Sequence, residues 1–448
     1  MLFSIVSERV VLREGIRPAT IVVRDGLIAG IEDYGASPVG VPSHDIGELV
    51  LLPGLVDTHV HINDPGRTDW EGFEHATRAA AAGGVTTLVD MPLNSIPPTT
   101  TVRGLEAKRA AARGRCWVDV EFWGGVVPGN TADLEPLARA GVRGFKCFLS
   151  PSGVDEFVHV GVDDLREAMP VVAAVGLPLL VHAELPALLR PPAPIGGKAD
   201  VDPRLHATWL AMRPDASEVG AIEMLCRLAV DYGTRVHIVH LSSADGLAAI
   251  EHARLSGAQI SVETCPHYLT FADEEIAAGA TAFKCAPPIR SRANRERLWA
   301  ALTAGAIDFV ATDHSPAPPA LKRLDNGDFL EAWGGIPSVQ LGLAAVWTGA
   351  SARGLGVGRL AHWLSAGPAM LAGVSGQKGA IAMGRDADLV VWDPDEEWTI
   401  DAGTLYHRHP ITPYDRRRVR GRVVTAMLRG VPVFERGEIR GEASGRSG

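Results

Sequence analysis

Apolar and polar positions alternate in two different ways along this chain of 448 residues. Near both ends, as in residues 19–31, 384–393 and 423–434, apolar residues alternate with polar ones, which is typical of strands with one buried face. Between the ends, short apolar runs alternate with stretches rich in Ala, Leu and Arg, which favour helices. Eight of the apolar runs predict strands: 51–60, 85–91, 117–126, 142–149, 178–184, 235–242, 259–266 and 306–313.

Eight units of strand then helix predict an α/β fold, a closed parallel (β/α)8 TIM barrel whose active site lies at the C-terminal ends of the strands. Neither terminal segment has enough strands to bury a core by itself, so we expect the two to pair into one small β-sandwich domain. The predicted boundaries are 1–50 for the first part of the sandwich, 51–377 for the barrel, and 378–448 for the second part of the sandwich with a flexible tail. One outer helix is expected to begin with residues 215–218, whose Asp-x-x-Glu spacing is that of a capping box.

The composition excludes several classes of protein. Hydrophobic residues make up 46% of the chain and charged residues 21%, as in ordinary globular proteins. The net charge of −10 gives no basic excess for a phosphate backbone, so no nucleic-acid partner is expected. The longest uncharged run, 168–183, is short and interrupted by Pro and Gly, and the first residues lack a signal-peptide pattern, so we expect a soluble cytoplasmic protein. Its five cysteines, an odd number without C-x-x-C spacing, favour reduced thiols over a disulfide framework.

Candidate metal ligands stand near the C-terminal ends of the predicted strands. They are His59 and His61 on the first strand, Lys146 on the fourth, His182 on the fifth, His240 on the sixth and Asp313 on the eighth. The period of two places both histidines of the H-x-H pair on one side, and a barrel brings all these strand ends together. Nitrogen and oxygen ligands suit a borderline divalent cation such as Zn²⁺. His237, three residues before His240, faces the opposite side and is interpreted as structural. His314 is an alternative to Asp313, but only a carboxylate can both hold the ion and accept a proton from a bound water.

Lys146 is unusual because only six of the 43 basic residues are lysine. One interpretation is a buried lysine whose ammonium is satisfied by a carbonyl or a carboxylate. The other is that burial lowers the pKa of the amine, and the neutral amine captures CO2 as a carbamate. A carbamate offers two oxygens and can bridge two metal ions, which a guanidinium cannot do.

The H-x-H pair, the fourth-strand lysine, the two single histidines and the eighth-strand aspartate together resemble the amidohydrolase superfamily, in particular its cyclic-amidase branch of hydantoinases, dihydroorotases and allantoinases. Within that branch several strings are most similar to allantoinases: HINDPGRTDWEG (61–72), DMPLNSIPPTT (90–100), GFKCFLSPSG (144–153), ETCPHY (263–268), KCAPPIR (284–290), TDHSP (312–316) and AWGGIPSVQ (332–340). Asn63 stands where a dihydroorotase is expected to have an arginine for the substrate carboxylate. Pro151 stands where hydantoinases have a tyrosine.

This resemblance implies a metal-dependent opening of the hydantoin ring of allantoin to allantoate, a step of purine catabolism. It implies two divalent metal ions, zinc in the first place, held by His59, His61, His182, His240, Asp313 and an N6-carboxylated Lys146, with Asp313 also catalytic. It also implies a homotetramer. The alternatives are another cyclic-amide hydrolase, of the dihydropyrimidinase, hydantoinase or dihydroorotase type, and a relative that has kept the barrel only as a scaffold.

Substrate contacts are a separate prediction. Asn63 and Asn94 are candidates for hydrogen bonds to the ureido and ring amide groups, and a cap or turn is the alternative role for each. Gly334 is a candidate for bringing the main chain close to the ring. His267 either faces the site or belongs to the core, and segment 185–213 is either a loop beside the site or a connector.

Overall fold

Strands and helices alternate through the middle of the chain in the computed structural model, which describes residues 1–196 and 200–448. The strands are β1 (Leu2–Leu12), β2 (Gly15–Arg24), β3 (Leu27–Glu32), β4 (Ser43–Asp45), β5 (Val50–Pro53), β6 (Leu55–Val60), β7 (Val85–Asp90), β8 (Asp119–Phe122), β9 (Gly124–Gly125), β10 (Phe145–Phe148), β11 (Leu179–His182), β12 (Val236–Ile238), β13 (Ile260–Thr264), β14 (Phe309–Val310), β15 (Leu389–Thr399), β16 (Arg418–Leu428), β17 (Val431–Glu435) and β18 (Glu438–Ile439). The α-helices are α1 (Phe73–Ala82), α2 (Val102–Ala112), α3 (Thr131–Arg139), α4 (Val162–Ala174), α5 (His206–Met212), α6 (Asp215–Tyr232), α7 (Leu247–Leu255), α8 (Pro266–Thr270), α9 (Arg292–Ala304), α10 (Gly342–Ser351), α11 (Gly358–Ala361) and α12 (Gly367–Leu371).

The two ends of the chain share one sheet. Its strand order is β18-β17-β16-β15-β5-β1-β2-β3, with β4 pairing on β1. The central strand β5 is parallel to β1 and antiparallel to β15, so it joins the N-terminal half of the sheet to the C-terminal half. Alternate side chains of these strands, among them Ile5, Val10, Leu51 and Leu389, are buried in one core. The predicted pairing of the two terminal segments is confirmed.

The predicted strand 51–60 is wrong as a single strand. Its first part is β5 in the terminal sheet, and its second part is β6, the first strand of the barrel. The break falls at Pro53-Gly54, since proline has no N–H to continue a ladder. A Cβ atom on Gly54 would lie 2.2 Å from Thr86 Oγ1 and 2.9 Å from Asp388 Cβ, so only glycine fits where the chain passes between the sheets. The domain boundaries themselves stay a prediction.

The central strands form a parallel barrel. One sheet has the order β6-β7-β8 and the other β14-β13-β12-β11-β10-β9, with parallel pairing of neighbours in both. Trp123 is the single residue between β8, the last strand of the first sheet, and β9, an edge strand of the second. Its indole Nε1 donates to Thr58 O. At the other edge His61 N donates to His314 O (2.8 Å), and Val60 and His314 form a parallel bridge. The predicted parallel α/β core is confirmed, and its strands are shorter than predicted because their last residues turn into loops.

Helix α6 begins at Asp215, as the sequence predicts, but the capping box is wrong. Pro214 is the N-cap residue and makes no side-chain cap. The Glu218 carboxylate is instead buried and accepts from Ser242 N (2.8 Å) and Ser243 N (2.9 Å), in the loop that follows β12. The carboxylate is therefore used for a tertiary contact between a helix and a site loop.

Two further predictions concern the whole chain. The five cysteines are all buried and free. Within residues 1–196 and 200–448, no helix is both long and apolar enough to cross a membrane.

Candidate functional site

The residues predicted as metal ligands lie together at the C-terminal end of the barrel. Strand β6 and the residue after it supply His59 and His61, β10 supplies Lys146, β11 ends at His182, and the turns after β12 and β14 supply His240 and Asp313. A pocket at this end is lined by five of them and by wall residues: His59, His61, His182, His240, Asp313, Asn94, Phe148, Pro151, Arg213, Ala286, Ser315, Trp333, Gly334 and Gly335 among others. Lys146 lies behind the pocket surface and is fully buried.

His59, His61 and Asp313 form a group that could hold a metal ion. Asp313 Oδ1 lies 3.2 Å from His59 Nε2 and 3.5 Å from His61 Nε2. Burial alone would raise the pKa of the Asp313 carboxyl, but the charge and hydrogen bonds of the two histidines outweigh it and hold this pKa well below its usual value. The carboxylate is therefore ionised at neutral pH.

The proton on each histidine decides which nitrogen can bind a cation. His59 Nδ1 donates to Glu263 Oε1 (2.6 Å), so the nitrogen that faces Asp313 is His59 Nε2, where a cation can replace the proton. His182 Nε2 donates to Glu184 Oε2 (2.7 Å), so the lone pair of His182 Nδ1 points to His240 Nε2, 3.0 Å away. Two imidazole nitrogens in this arrangement can flank one cation, and burial lowers the pKa of both His182 and His240, which keeps the rings neutral.

Lys146 has an environment that shifts its amine toward the neutral form. Its side chain is 0% exposed, and its Nζ has no hydrogen-bond partner in the described part of the chain. Burial lowers the pKa of this amine to about 8. Lys108 offers the contrast, because its buried ammonium donates to Asp90 Oδ2 and Met91 O, both at 2.6 Å. The geometry thus does not match the alternative of a lysine satisfied by a carbonyl or carboxylate. An amine that has no hydrogen-bond partner among the described residues, that lies 4.6 Å from the Phe148 ring centroid and that stands at the same barrel end as four histidines and a carboxylate fits a carboxylated lysine.

The carboxylates behind the histidines could not be identified from the sequence. Glu263 is fully buried and also accepts from His237 Nε2 (3.1 Å), so the two histidines hold the pKa of its carboxyl at about 2 against the effect of burial. His237 is thus structural, as predicted, but its contact fixes the carboxylate that orients His59. Glu184 is held in turn by an ion pair with Arg213. The only signal for these glutamates was their place near strand ends.

Several site residues have an unusual backbone. His240 and Asp313 have φ values of 42° and 47°, and Asn63 and Asn94 both have 65°. Left-handed conformations of non-glycine residues cost of the order of 1 to 3 kcal/mol each and are typical of functional sites. Here they turn the chain sharply after the strands, and three of the four residues, His240, Asp313 and Asn94, line the pocket.

The predicted substrate contacts have different surroundings. Asn94 lines the pocket, its Nδ2 lies 3.4 Å from His61 Nδ1, and its Oδ1 has no hydrogen-bond partner among the described residues. Gly334 also lines the pocket. Asn63 is buried outside the pocket lining and donates from Nδ2 to Pro316 O (3.3 Å), which matches its alternative role in a turn. His267 is fully buried, and burial lowers its pKa to about 4.

Segment 185–213 reaches the site through its last residue. Arg213 lines the pocket, and its guanidinium lies 4.6 Å from the Trp209 ring centroid. Residues 197–199 of this segment lie outside the described residues.

Comparison with known proteins agrees with this geometry over nearly the whole chain. The profile of the amidohydrolase family matches residues 50–433. The allantoinase of Streptomyces avermitilis is 50% identical over 433 residues, covering 96% of this chain and 95% of that protein. The allantoinase of Arabidopsis thaliana is 44% identical, covering 99% of this chain and 90% of that protein, and that of Saccharomyces cerevisiae is 44% identical with 96% and 95% covered. Among solved structures, the L-hydantoinase (dihydropyrimidinase) from Arthrobacter aurescens has a TM-score of 0.92 at 32% identity, with 100% of this chain and 99% of that chain covered.

Proposed function

The chain belongs to the amidohydrolase family, among its allantoinases, and from this premise we propose that it hydrolyses the hydantoin ring of allantoin to allantoate, a step of purine catabolism, at a centre of two divalent metal ions. One observation carries the proposal: the buried amine of Lys146, which has no hydrogen-bond partner among the described residues, lies at the same barrel end as four histidines and an ionised aspartate. No simple structural role accounts for that combination.

The side chains divide into two ligand groups. We assign His59, His61 and Asp313 to one ion and His182 and His240 to the other, with N6-carboxylated Lys146 between them. The neutral imidazoles and oxygen ligands suit Zn²⁺. When bound, two such cations supply a water molecule with a pKa of about 7 and polarise the scissile carbonyl.

The protein's own groups then position the ring and move the proton. Asp313, ionised at neutral pH, accepts a proton from the attacking water on its carboxylate and delivers it to the ring nitrogen that leaves. Asn94 and the main chain of Gly334 line the pocket and are proposed to orient the amide groups of the substrate. Asn63, proposed with them from the sequence, lies behind this wall, where its amide supports Pro316.

Allantoin turnover by the metal-loaded protein tests this function. We expect hydrolysis of allantoin with a kcat/KM at least about 100-fold above that for dihydrouracil or dihydroorotate. Pro151 stands in the pocket wall where hydantoinases have a tyrosine, and Asn63 stands where a dihydroorotase is expected to have an arginine. Removing metal with a chelator should abolish turnover, and adding Zn²⁺ should restore it. Elemental analysis should give about two metal ions per chain.

Two outcomes would contradict the proposal. Faster turnover of dihydrouracil or dihydroorotate than of allantoin would assign the chain to another cyclic-amide hydrolase. Fewer than about one metal ion per chain after loading, without turnover, would favour a scaffold that has lost catalysis.

Replacing Glu263 by Gln tests the proposed orientation of His59. The amide can no longer accept from both His59 Nδ1 and His237 Nε2 as a carboxylate, so the imidazole loses its fixed tautomer and part of its basicity. We expect Glu263→Gln to weaken metal affinity by about 10- to 100-fold. Competition with a chromogenic chelator measures this loss without reference to turnover.

Glu218→Gln is the matched control. Glu218 is also a buried glutamate at this end of the barrel, but it contacts Ser242, Ser243 and Arg290 rather than a candidate ligand. Its metal affinity should stay within about threefold of the parent. Equal losses of metal affinity in the two variants would mean that Glu263 affects metal binding only through the stability of the fold.

Assembly and location are two further proposals. A homotetramer follows from the family resemblance, and light scattering in solution tests it. The five buried, free cysteines support a cytoplasmic location, although the allantoinase of Aquarana catesbeiana, 48% identical, is described as mitochondrial.

A further inference from the structure

One wall of the pocket is a segment without regular structure, residues 330–335, here named the wall loop. Its last three residues, Trp333, Gly334 and Gly335, line the pocket beside Ala286. A Cβ atom on Gly335, whose φ is 153°, would lie 2.3 Å from Ser315 O. The main chain of this loop therefore packs directly against the main chain of the segment that follows β14. Because the loop belongs to no helix or strand, other groups must satisfy its main-chain carbonyls.

Lys322 supplies two of these hydrogen bonds and a third to the neighbouring segment. Its Nζ donates to Trp333 O (2.9 Å), Gly335 O (2.9 Å) and Lys284 O (3.4 Å). The last acceptor belongs to the neighbouring wall segment, which continues to Ala286. One ammonium thus joins the two segments that form this side of the pocket.

Lys284 holds the beginning of the same loop. Its Nζ donates to Leu330 O (3.2 Å) and Ala332 O (2.5 Å) and lies 4.2 Å from the centroid of the Trp209 ring. Two main-chain bonds complete the connection: Gly335 N donates to Lys284 O (2.8 Å), and Trp333 N donates to Leu321 O (2.7 Å).

Neither of these two lysines forms an ion pair with a described residue. Among residues 1–196 and 200–448, no carboxylate lies within 4 Å of either ammonium, whereas Lys108 and Lys378 each contact aspartates. Burial lowers the pKa of Lys322 to about 7 and that of Lys284 to about 8, so both charged forms are costly in these positions. A costly buried amine whose described hydrogen bonds all go to main-chain carbonyls points to a requirement for the shape of the wall loop.

We infer that Lys284 and Lys322 are positioning residues for the substrate. Together they donate hydrogen bonds to five main-chain carbonyls of the wall loop and of the neighbouring segment. These bonds fix the main chain of Gly334 and Ala286, against which the cyclic amide ring rests. This inference depends on the proposed function for the identity of the ring. Neither lysine touches a candidate metal ligand, so their contribution concerns binding and orientation of the substrate rather than the metal centre.

Lys322→Met, which keeps the length of the side chain and removes the donors, tests this inference in the metal-loaded enzyme. We expect the KM for allantoin to rise by about 10-fold or more while kcat stays within about threefold and metal content is unchanged. Amide hydrogen exchange at Trp333 and Gly335 should become faster. Lys284→Met should show the same pattern, and since it breaks only two of the carbonyl contacts, it carries the test where Lys322→Met does not fold.

Leu225→Ala is the control for a purely structural effect. Leu225 is a fully buried core residue of α6 that does not line the pocket. Its truncation should lower Tm but leave KM and hydrogen exchange in the wall loop as they are in the parent. The inference would be overturned if the lysine variants kept the parent's KM and the parent's hydrogen exchange in the wall loop. It would also be overturned if, at an equal loss of Tm, their KM and exchange changed no more than those of Leu225→Ala. If the parent itself does not hydrolyse allantoin, the proposed function fails, and the exchange comparison still decides whether the lysines hold the loop.

Discussion

Lys146→Arg is expected to reduce kcat/KM for allantoin by at least about a thousand-fold, because a guanidinium cannot become the neutral nucleophile that captures CO2. The arginine would also keep its positive charge near His182 and His240, in a position that is 0% exposed in the parent. The variant should therefore bind less metal as well as turn over less substrate. Steady-state kinetics with elemental analysis of the same sample measures both effects.

Lys146→Ala adds a sharper test of the carbamate. Removing the side chain leaves a cavity at the position of the proposed bridge, and a short carboxylic acid can supply two oxygens there. We expect added acetate or propionate to restore part of the lost activity in Lys146→Ala, while neutral molecules of the same size should not. In the parent, a carbon NMR signal from labelled bicarbonate should report the carbamate directly.

Lys378→Arg is the matched control for the arginine substitution. Lys378 is also a buried lysine, but its ammonium contacts Asp119, Asp386 and Asp388, which a guanidinium can also bind. It lies outside the pocket, and Lys378→Arg should keep the parent's kcat/KM. Activity in Lys146→Arg above about a tenth of the parent value would contradict the proposed bridge.

The positions of the candidate ligands could be predicted because each depends on local sequence and on one rule of topology. His59 and His61 lie on one side of a strand through its period of two, and a closed parallel barrel brings the ends of distant strands together. His182 and His240 needed no further information. The comparisons agree with the predicted family and activity, and the structure brings all six residues to one end of the barrel.

The residues that hold these ligands could not be predicted because their contacts are distant in sequence. Glu263 meets His59 across 204 residues, and a buried glutamate near a strand end has no signal that names its partner. Lys284 and Lys322 bind main-chain carbonyls, which every residue has, so no pattern of side chains indicates these contacts. The capping box at residues 215–218 was wrong for the same reason, since Glu218 is used by a loop of another strand.

The ends of the strands could not be predicted from the pattern of apolar residues alone. The run from 51 to 56 has no polar side chain, but Pro53 and Gly54 divide it between two sheets. His240 and Asp313 were predicted as strand residues, whereas their left-handed backbone places them in turns. Apolar runs predict which segments are buried, and the packing of neighbouring elements decides where each strand ends.

Asp313→Asn is expected to lower kcat for allantoin by about 10²- to 10⁴-fold, the range for removal of a group that transfers a proton in the transition state. The parent carboxylate is ionised at neutral pH because His59 and His61 hold its pKa well below the usual value, so its oxygens are unprotonated. An amide still offers an oxygen as a ligand but cannot accept the proton. Turnover should therefore stay low in excess Zn²⁺, even when elemental analysis shows two ions per chain.

Two variants separate proton transfer from loss of a ligand. His61→Asn removes a proposed ligand of the same ion and leaves Asp313 in place, so excess Zn²⁺ should recover its activity to a much greater extent than that of Asp313→Asn. Asp215→Asn makes the same chemical change at this end of the barrel, where Asp215 accepts from Ser243 Oγ (2.5 Å) and pairs with Arg290 outside the pocket lining, and it should keep kcat within about threefold. Full recovery of Asp313→Asn by added metal would show that the carboxylate is only a ligand, and the proton would then have to leave through another group.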